Sequence, residues 1–203
     1  MNGSLEGNAG LLQAVLAGLG EPACAVAVCV PALYLAQCRQ VIGQRGLRLG
    51  AQDVSAHASG AYTGEISAQM LRDFGVRYAI VGHSERRQYH HESDQLVSLK
   101  AKAALACGIT PIVCVGETLQ ERESGQTEHV VKRQLAAVIH DNGHCISEIV
   151  VAYEPVWAIG TGQTATPEQA QAVHAVLRAQ LKAASEHADG ISILYGEIGR
   201  AHV

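Results

Sequence analysis

The hydrophobic positions along the chain follow two alternating patterns. Short, continuous apolar runs are typical of buried strands, and apolar residues recurring every three or four positions are typical of amphipathic helices. The runs predict six strands, near residues 25–30, 47–53, 78–82, 109–115, 149–153 and 191–195. The helical spacing predicts six helices, near residues 5–19, 31–42, 65–75, 93–107, 126–141 and 167–187.

Strands that alternate with helices and lack a polar face indicate a parallel sheet covered by helices. Two architectures fit this pattern, a (β/α)8 barrel and an open doubly wound sheet. The open sheet of dinucleotide-binding proteins has Gly-x-Gly-x-x-Gly directly after its first strand, and here only the fragment Gly160-Thr161-Gly162 occurs, late in the chain. In barrel enzymes the reactive residues follow several different strands, and here His83 and Glu154 each follow a different predicted strand. The sequence therefore favours the barrel.

Two helix ends carry local signals. Thr166 is predicted to cap the last helix, with Pro167 at its first position and Glu168 in its first turn. Gly108 is predicted to close the helix near 93–107, since a glycine readily adopts the left-handed conformation found there.

Composition limits the classes of function. The chain has 203 residues, 48% of them hydrophobic, and a net charge of −4, so we expect one domain and no interface for nucleic acid. No apolar run reaches the roughly 18–20 residues that span a bilayer, and we expect no membrane association. The six cysteines are irregularly spaced without Cys-x-x-Cys, which predicts reduced, mostly buried thiols in a cytoplasmic protein.

The first candidate for chemistry is Glu154, at the end of the strand near 149–153. Pro155 follows it and favours an extended backbone, and a glycine-containing loop comes next. A carboxylate at a strand end beneath such a loop is typical of a catalytic base under a lid. The alternative is a solvated or salt-bridged glutamate.

The second candidate is His83, which follows the strand near 78–82 and begins a short helical turn. The positive potential of a helix N-terminus favours the neutral imidazole. A single histidine is more often a surface or core residue, and this chain has ten.

The strings Gly82–Arg87 and Ala152–Gly162 resemble the triosephosphate isomerase family, and the resemblance extends from Met1 to about Gly196. It implies the acid–base pair for which that family is itself a standard example, with Glu154 as the base and His83 as a neutral electrophile. The implied reaction interconverts glyceraldehyde 3-phosphate and dihydroxyacetone phosphate through an enediolate, without cofactor or metal. It also implies that the backbone N–H of Gly160 binds the substrate phosphate.

The resemblance further assigns supporting positions to Ser84, Glu85 and Cys114, although Cys114 is equally readable as an ordinary buried thiol. It places Tyr62 and Thr63 in a loop that inserts into the second subunit of a homodimer. As an alternative, that segment is a glycine-bounded surface loop.

Metal binding is a weaker interpretation. His90-His91-Glu92 lies in a polar loop, and the turn signal Asn142-Gly143 separates His140 from His144. We therefore expect no metal site, and we expect the pair Arg86-Arg87 to be structural.

The chain departs from the family at both ends. In the family an Asn-x-Lys motif with a substrate-binding lysine precedes the segment matching Met1-Asn2-Gly3, and an eighth βα unit with a phosphate site follows the seventh strand. We expect residues 1–196 to form an incomplete (β/α)8 TIM barrel lacking the first strand and that unit, and residues 197–203 to be a non-native tail. The chain as written is expected to be inactive and prone to aggregate through unpaired strands; the alternatives are a catalytically silent dimeric scaffold and a non-functional gene fragment.

Overall fold

The computed structural model describes residues 2–196, which form six strands and eight α-helices. The strands are β1 (Val26–Val30), β2 (Leu47–Ala51), β3 (Tyr78–Val81), β4 (Thr110–Val115), β5 (Val150–Tyr153) and β6 (Ile193–Tyr195). The α-helices are α1 (Leu5–Gly18), α2 (Leu35–Ile42), α3 (Ala68–Asp73), α4 (Ser84–Tyr89), α5 (Asp94–Ala106), α6 (Leu119–Glu123), α7 (Thr127–Asn142) and α8 (Pro167–Ala184). Short 3₁₀ turns cover Ala32–Tyr34, Gly143–Glu148 and Ala188–Gly190.

The sheet decides between the two predicted architectures. Its strand order is β1-β2-β3-β4-β5-β6, and β1 with β2, β2 with β3, β4 with β5 and β5 with β6 pair in parallel. An open doubly wound sheet reverses its order at a switch point, whereas a barrel keeps chain order. The prediction of an incomplete (β/α)8 barrel is therefore confirmed.

The chain divides into two compact units. Among the described residues, the first comprises residues 2–80 and 103–111, and the second comprises residues 81–102 and 112–196. The assignment of residues 1–196 to one domain stays a prediction. So does the non-native character of residues 197–203, which lie outside the described part of the chain.

In the first unit, α2 packs against the strand that follows it. Leu35, Cys38 and Ile42 on one face of α2 are buried, as are Leu47 and Leu49 on β2. All five residues of β1, in contrast, retain solvent exposure. This exposure agrees with the place of β1 at one end of the strand order.

The second unit has its core between β4, β5 and the helices α7 and α8. Val113 and Val151 of the strands are fully buried, together with Leu135 on α7 and Leu177 on α8. At the other end of the strand order, Leu194 and Tyr195 of β6 are exposed. Exposed apolar end strands are what the sequence predicts for an incomplete barrel.

Capping residues and glycines explain where several of the helices begin and end. The cap at Thr166 is confirmed: its hydroxyl accepts from the Gln169 N–H, and Pro167 starts α8. Gly108 has the expected positive φ, at 69°. Helix α3 begins only at residue 68 because Ser67 caps it. The short helix α6 was not predicted, since five residues show no periodicity.

The cysteines only partly match expectation. All six are free thiols, but only Cys38 and Cys114 are buried, while Cys24 is exposed. Among the described residues, no helix is both long and apolar enough to cross a membrane.

Candidate active site

Glu154 lies directly beyond β5 and is held by the backbone on two sides. Its N–H donates to the carbonyl oxygen of Val115 at 2.8 Å, which continues the pairing of β4 with β5. Its side chain is 9% exposed, and Oε2 accepts a hydrogen bond of 3.2 Å from the backbone N–H of Ser84. A carboxylate this buried with a backbone donor has a fixed position, which differs from the solvated alternative.

His83 is positioned by the turn after β3. Gly82 has a φ of +70°, and a Cβ there would lie 2.8 Å from Val97, so only glycine fits this turn. His83 caps α4, and its Nδ1 accepts the N–H of Glu85 at 3.3 Å. Because Nδ1 is the acceptor, the neutral ring carries its proton on Nε2, which lies 3.4 Å from Glu154 Oε1.

The structure thus brings the two predicted reactive groups together in the second unit. Ser84 contacts Glu154 through its backbone, as described above. The carboxylate of Glu85 is 68% exposed, and its Oε2 lies 3.7 Å from His83 Nδ1. Ser84 and Glu85 therefore lie on either side of the pair, where their predicted supporting roles are geometrically possible.

Arg87 fixes the histidine turn to the neighbouring strand. Its Nε donates to the Gly82 carbonyl at 2.8 Å, its Nη2 to the Cys114 carbonyl at 3.3 Å, and its Nη1 pairs with Asp94 at 2.6 Å. This is the structural role expected for the arginine. Cys114 contributes its backbone carbonyl to this contact. Whether its thiol supports the site or is an ordinary buried thiol stays a prediction.

The predicted lid, residues 155–166, is anchored at both ends and exposed at its tip. Trp157 and Ala158 are buried, whereas Gly160, with a φ of +71°, is exposed. The hydroxyl of Thr161 donates to the carbonyl oxygens of Trp157 and Ala158 at 3.1 Å. At the far end, the N–H of Ala165 donates to the Tyr195 hydroxyl at 3.2 Å. The first end is therefore buried, the tip is exposed, and the far end is held through Ala165, an arrangement that fits a lid.

A buried carboxylate that the sequence reading missed organises the first end of this lid. Glu117 is fully buried and accepts from the Tyr153 hydroxyl at 3.1 Å, from Trp157 Nε1 at 3.0 Å and from Arg122 Nη1 at 3.3 Å. The Arg122 guanidinium also lies 4.3 Å from the Trp157 ring centre. Burial, and then the Glu117 charge, raise the pKa of Tyr153, so the phenol stays a donor. The sequence offered one signal for Glu117: like Glu154, it is a charged residue that closely follows an apolar strand.

The loop with Tyr62 and Thr63 lies in the first unit. Residues 57–65 are all exposed, and the Ser55 N–H donates to the Ile66 carbonyl at 2.8 Å across the loop's base. The rings of His57 and Tyr62 stack with centroids 3.7 Å apart. The loop has a defined shape of its own, and its role in a dimer stays a prediction.

In the segment His90-His91-Glu92, the glutamate forms buried ion pairs. Glu92 is buried and pairs with Arg86 Nε at 2.6 Å and with Lys100 Nζ at 2.5 Å. Over the described part of the chain, no three His, Cys, Asp or Glu side chains are grouped as metal ligands.

Comparison with known proteins places this geometry in a family. The family model described as "Triosephosphate isomerase" matches residues 1–197. Proteins named triosephosphate isomerase from Delftia acidovorans, Paracidovorax citrulli and Albidiferax ferrireducens are 71%, 70% and 68% identical to this chain. Each match covers 97% of this chain and 79% of the relative. The chain, with His83 and Glu154 at the ends of two strands of an incomplete barrel, belongs to the triosephosphate isomerase family.

Proposed function

We propose that the protein acts as a triosephosphate isomerase, interconverting glyceraldehyde 3-phosphate and dihydroxyacetone phosphate. The observation that carries the proposal is the buried carboxylate of Glu154 with its Oε1 3.4 Å from His83 Nε2. A base and a hydrogen-bond donor within one such space suit proton abstraction beside a carbonyl group.

In the proposed first step, Glu154 removes a proton from the carbon beside the substrate carbonyl. Negative charge then develops on the carbonyl oxygen, and the Nε2–H of His83 donates to it. The Glu85 N–H donates to Nδ1, so in the neutral ring the proton lies on Nε2, the nitrogen that faces Glu154. His83 then moves protons between the two enediolate oxygens, and Glu154 returns its proton to the other carbon.

The contact with Ser84 describes the resting position of the base. Glu154 Oε2 is bound to the Ser84 N–H, so the carboxylate must leave this donor to reach a substrate carbon. Ser84 is therefore proposed to hold the base until substrate displaces it.

Closure of the lid completes the proposed site. The exposed tip brings the backbone N–H of Gly160 to the substrate phosphate, and the absence of a side chain lets the anion approach closely. Excluding water strengthens the interactions that His83 makes with developing charge. These steps use acid–base groups and backbone donors, and we expect no cofactor or metal requirement.

Assembly and location follow from the same assignment. We propose a homodimer in which the loop with Tyr62 and Thr63 contacts the second subunit, and a cytoplasmic enzyme. The alternatives are a catalytically silent dimeric scaffold and a non-functional gene fragment.

The test uses two proteins. One is the 203-residue chain, and the other, called the completed chain, joins residues 2–196 to the terminal segments that the Delftia acidovorans relative has beyond the match. The completed chain should interconvert the two triose phosphates. The 203-residue chain should be inactive and aggregate, since the family's lysine and most of its phosphate donors are among the segments added. A completed chain that ignores both triose phosphates contradicts the proposal; an inactive, stable dimer of the 203-residue chain favours the scaffold.

A further inference from the structure

We infer that Gln134 is a positioning residue for Glu154, acting through Gly116; this inference rests on the proposed function. Gln134 lies on α7, is 5% exposed, and belongs to none of the groups that the reaction uses. Its side-chain amide forms two hydrogen bonds with a single residue. Gly116 N–H donates to Oε1 at 2.8 Å, and Nε2 donates to the Gly116 carbonyl at 3.2 Å.

This double hydrogen bond replaces a neighbouring strand. Gly116 comes one residue after β4 ends. The backbone hydrogen bonds to the segment after β5 are accepted by Val115 and Glu117, on either side of Gly116, so the peptide groups of Gly116 point away from that segment. Backbone N–H and C=O groups near the core need hydrogen-bond partners, because leaving them unpaired destabilises the fold. The side-chain amide of Gln134 supplies both a donor and an acceptor, so it fixes the position and the orientation of the two peptide groups of Gly116.

Gly116 in turn lies directly against the backbone of the base. A Cβ built at Gly116 would lie 1.7 Å from the Glu154 carbonyl oxygen and 2.7 Å from its carbonyl carbon. Only glycine permits this approach, and any movement of Gly116 toward Glu154 must displace the residue that carries the carboxylate. Glu154 also bonds to Val115, the residue before Gly116, at 2.8 Å.

The connection from Gln134 through Gly116 therefore ends at the backbone of the catalytic carboxylate. A base must sit within a fraction of an ångström of its proton, and a displacement of about 1 Å can reduce the rate by about 100-fold. Among the described residues, the hydrogen bonds of the Gln134 side chain go to Gly116 and not to His83 or Glu154. Its loss should slow proton abstraction while leaving the affinity for the phosphate group unchanged.

The experiment compares three variants of the completed chain. Gln134→Met keeps the length of the side chain and removes both hydrogen bonds. Gln134→Glu keeps the acceptor for the Gly116 N–H and removes the donor to its carbonyl. The control is Asn142→Leu, because Asn142 is also buried on α7 and bonds the Val138 carbonyl at 3.1 Å, but contacts α5 at Ser98.

We expect Gln134→Met to lower kcat by about 10- to 100-fold with KM changed less than about twofold. Gln134→Glu should fall between it and the parent, and Asn142→Leu should lose thermal stability while keeping kcat within about twofold. The primary isotope effect with substrate deuterated at the transferred position should rise in Gln134→Met, because a displaced base slows the proton-transfer step.

Equal kcat in Gln134→Met and Asn142→Leu, or an unchanged isotope effect, would overturn the inference while leaving the proposed function intact. If Gln134→Met fails to fold, the kcat and the isotope effect of Gln134→Glu test the inference instead. A completed chain without any isomerase activity would overturn the proposed function and this inference together.

Discussion

The imidazole of His83 faces the carboxylate of Glu154, with Nε2 3.4 Å from Oε1. The two residues follow β3 and β5, which are separated by β4 in the strand order. Each side chain also accepts a hydrogen bond from the backbone of α4, Glu154 from Ser84 and His83 from Glu85. The variants that follow are made in the completed chain.

Replacing His83 by Gln should lower kcat by about 10²–10³-fold, because one donor to a developing oxyanion is lost or misplaced. KM should change much less, since the ring is proposed to act on charge that appears in the transition state. Steady-state kinetics in both directions measure this. His187→Gln, an exposed histidine of the same chain, is the control and should keep full activity.

Trp157→Phe should loosen the first end of the lid. The substitution keeps an aromatic ring beside Arg122 and removes the indole N–H that donates to the buried Glu117 at 3.0 Å. A hydrogen bond to a charged group is worth about 1.5–3 kcal/mol, so the free energy of unfolding should fall by that order and kcat/KM should decrease.

Tyr153→Phe removes the other neutral donor to Glu117 and serves as the comparison for Trp157→Phe. We expect it to lower stability similarly with a smaller effect on kcat/KM, because Tyr153 lies on β5 and not on the lid. Equal kinetic losses would show that Trp157 has no particular role in the lid.

Glu92 should make stability depend on pH in the acid range. Burial alone would raise the pKa of Glu92, but the hydrogen bonds and charges of Lys100 and Arg86 outweigh it and lower the pKa below its ordinary value of 4.5. A lowered folded-state pKa stabilises the protein above about pH 4.5, and this stabilisation is lost as the pH falls through the folded-state pKa.

Glu92→Gln should therefore cost about 3–5 kcal/mol near neutral pH and flatten the acid limb of the stability profile. Chemical unfolding between pH 3 and pH 7, roughly the range in which carboxylates titrate, measures both effects. Glu128→Gln breaks the exposed pair with Lys132 and should cost less than about 1 kcal/mol with no change in the profile. A Glu92→Gln variant as stable as Glu128→Gln would refute this account of the cluster.

The proposed dimer predicts a role for the stack of His57 on Tyr62. His57→Ala removes a ring that lies 3.7 Å from the Tyr62 ring, so the loop should lose its shape and self-association should weaken. His57→Phe restores a stacking ring and should restore association. Sedimentation equilibrium of the three proteins tests this; identical dissociation constants would exclude the stack as a determinant of the dimer.

Particular residues show how far the sequence predicts this protein. The barrel strands, the cap at Thr166 and the proximity of His83 and Glu154 were predictable, because they depend on local patterns and on parallel strands ending at one edge. The network of Glu117 was not assigned, although its position after β4 resembles that of Glu154. The role of Gln134 has no sequence signal at all: it is one polar residue on an amphipathic helix, and its importance depends on where Gly116 lies in space.

The exposure of β1 and β6 depends on more than composition. Their apolar residues alone are typical of covered strands, and only the resemblance to a barrel without its first strand and last unit places both strands at the ends of the order. The positive φ of His91, at 54°, was not predictable, since nothing in its neighbours requires a left-handed turn.

The most direct test of the central claim follows hydrogen exchange during catalysis. The completed chain and its Glu154→Gln variant are incubated with dihydroxyacetone phosphate in D2O, and NMR follows deuterium in substrate and product. The account predicts deuterium at the carbon beside the carbonyl and formation of glyceraldehyde 3-phosphate with the parent, and a loss of about 10²–10⁴-fold in both with Glu154→Gln. Deuterium incorporation by Glu154→Gln at the rate of the parent would contradict the assignment of Glu154 as the base.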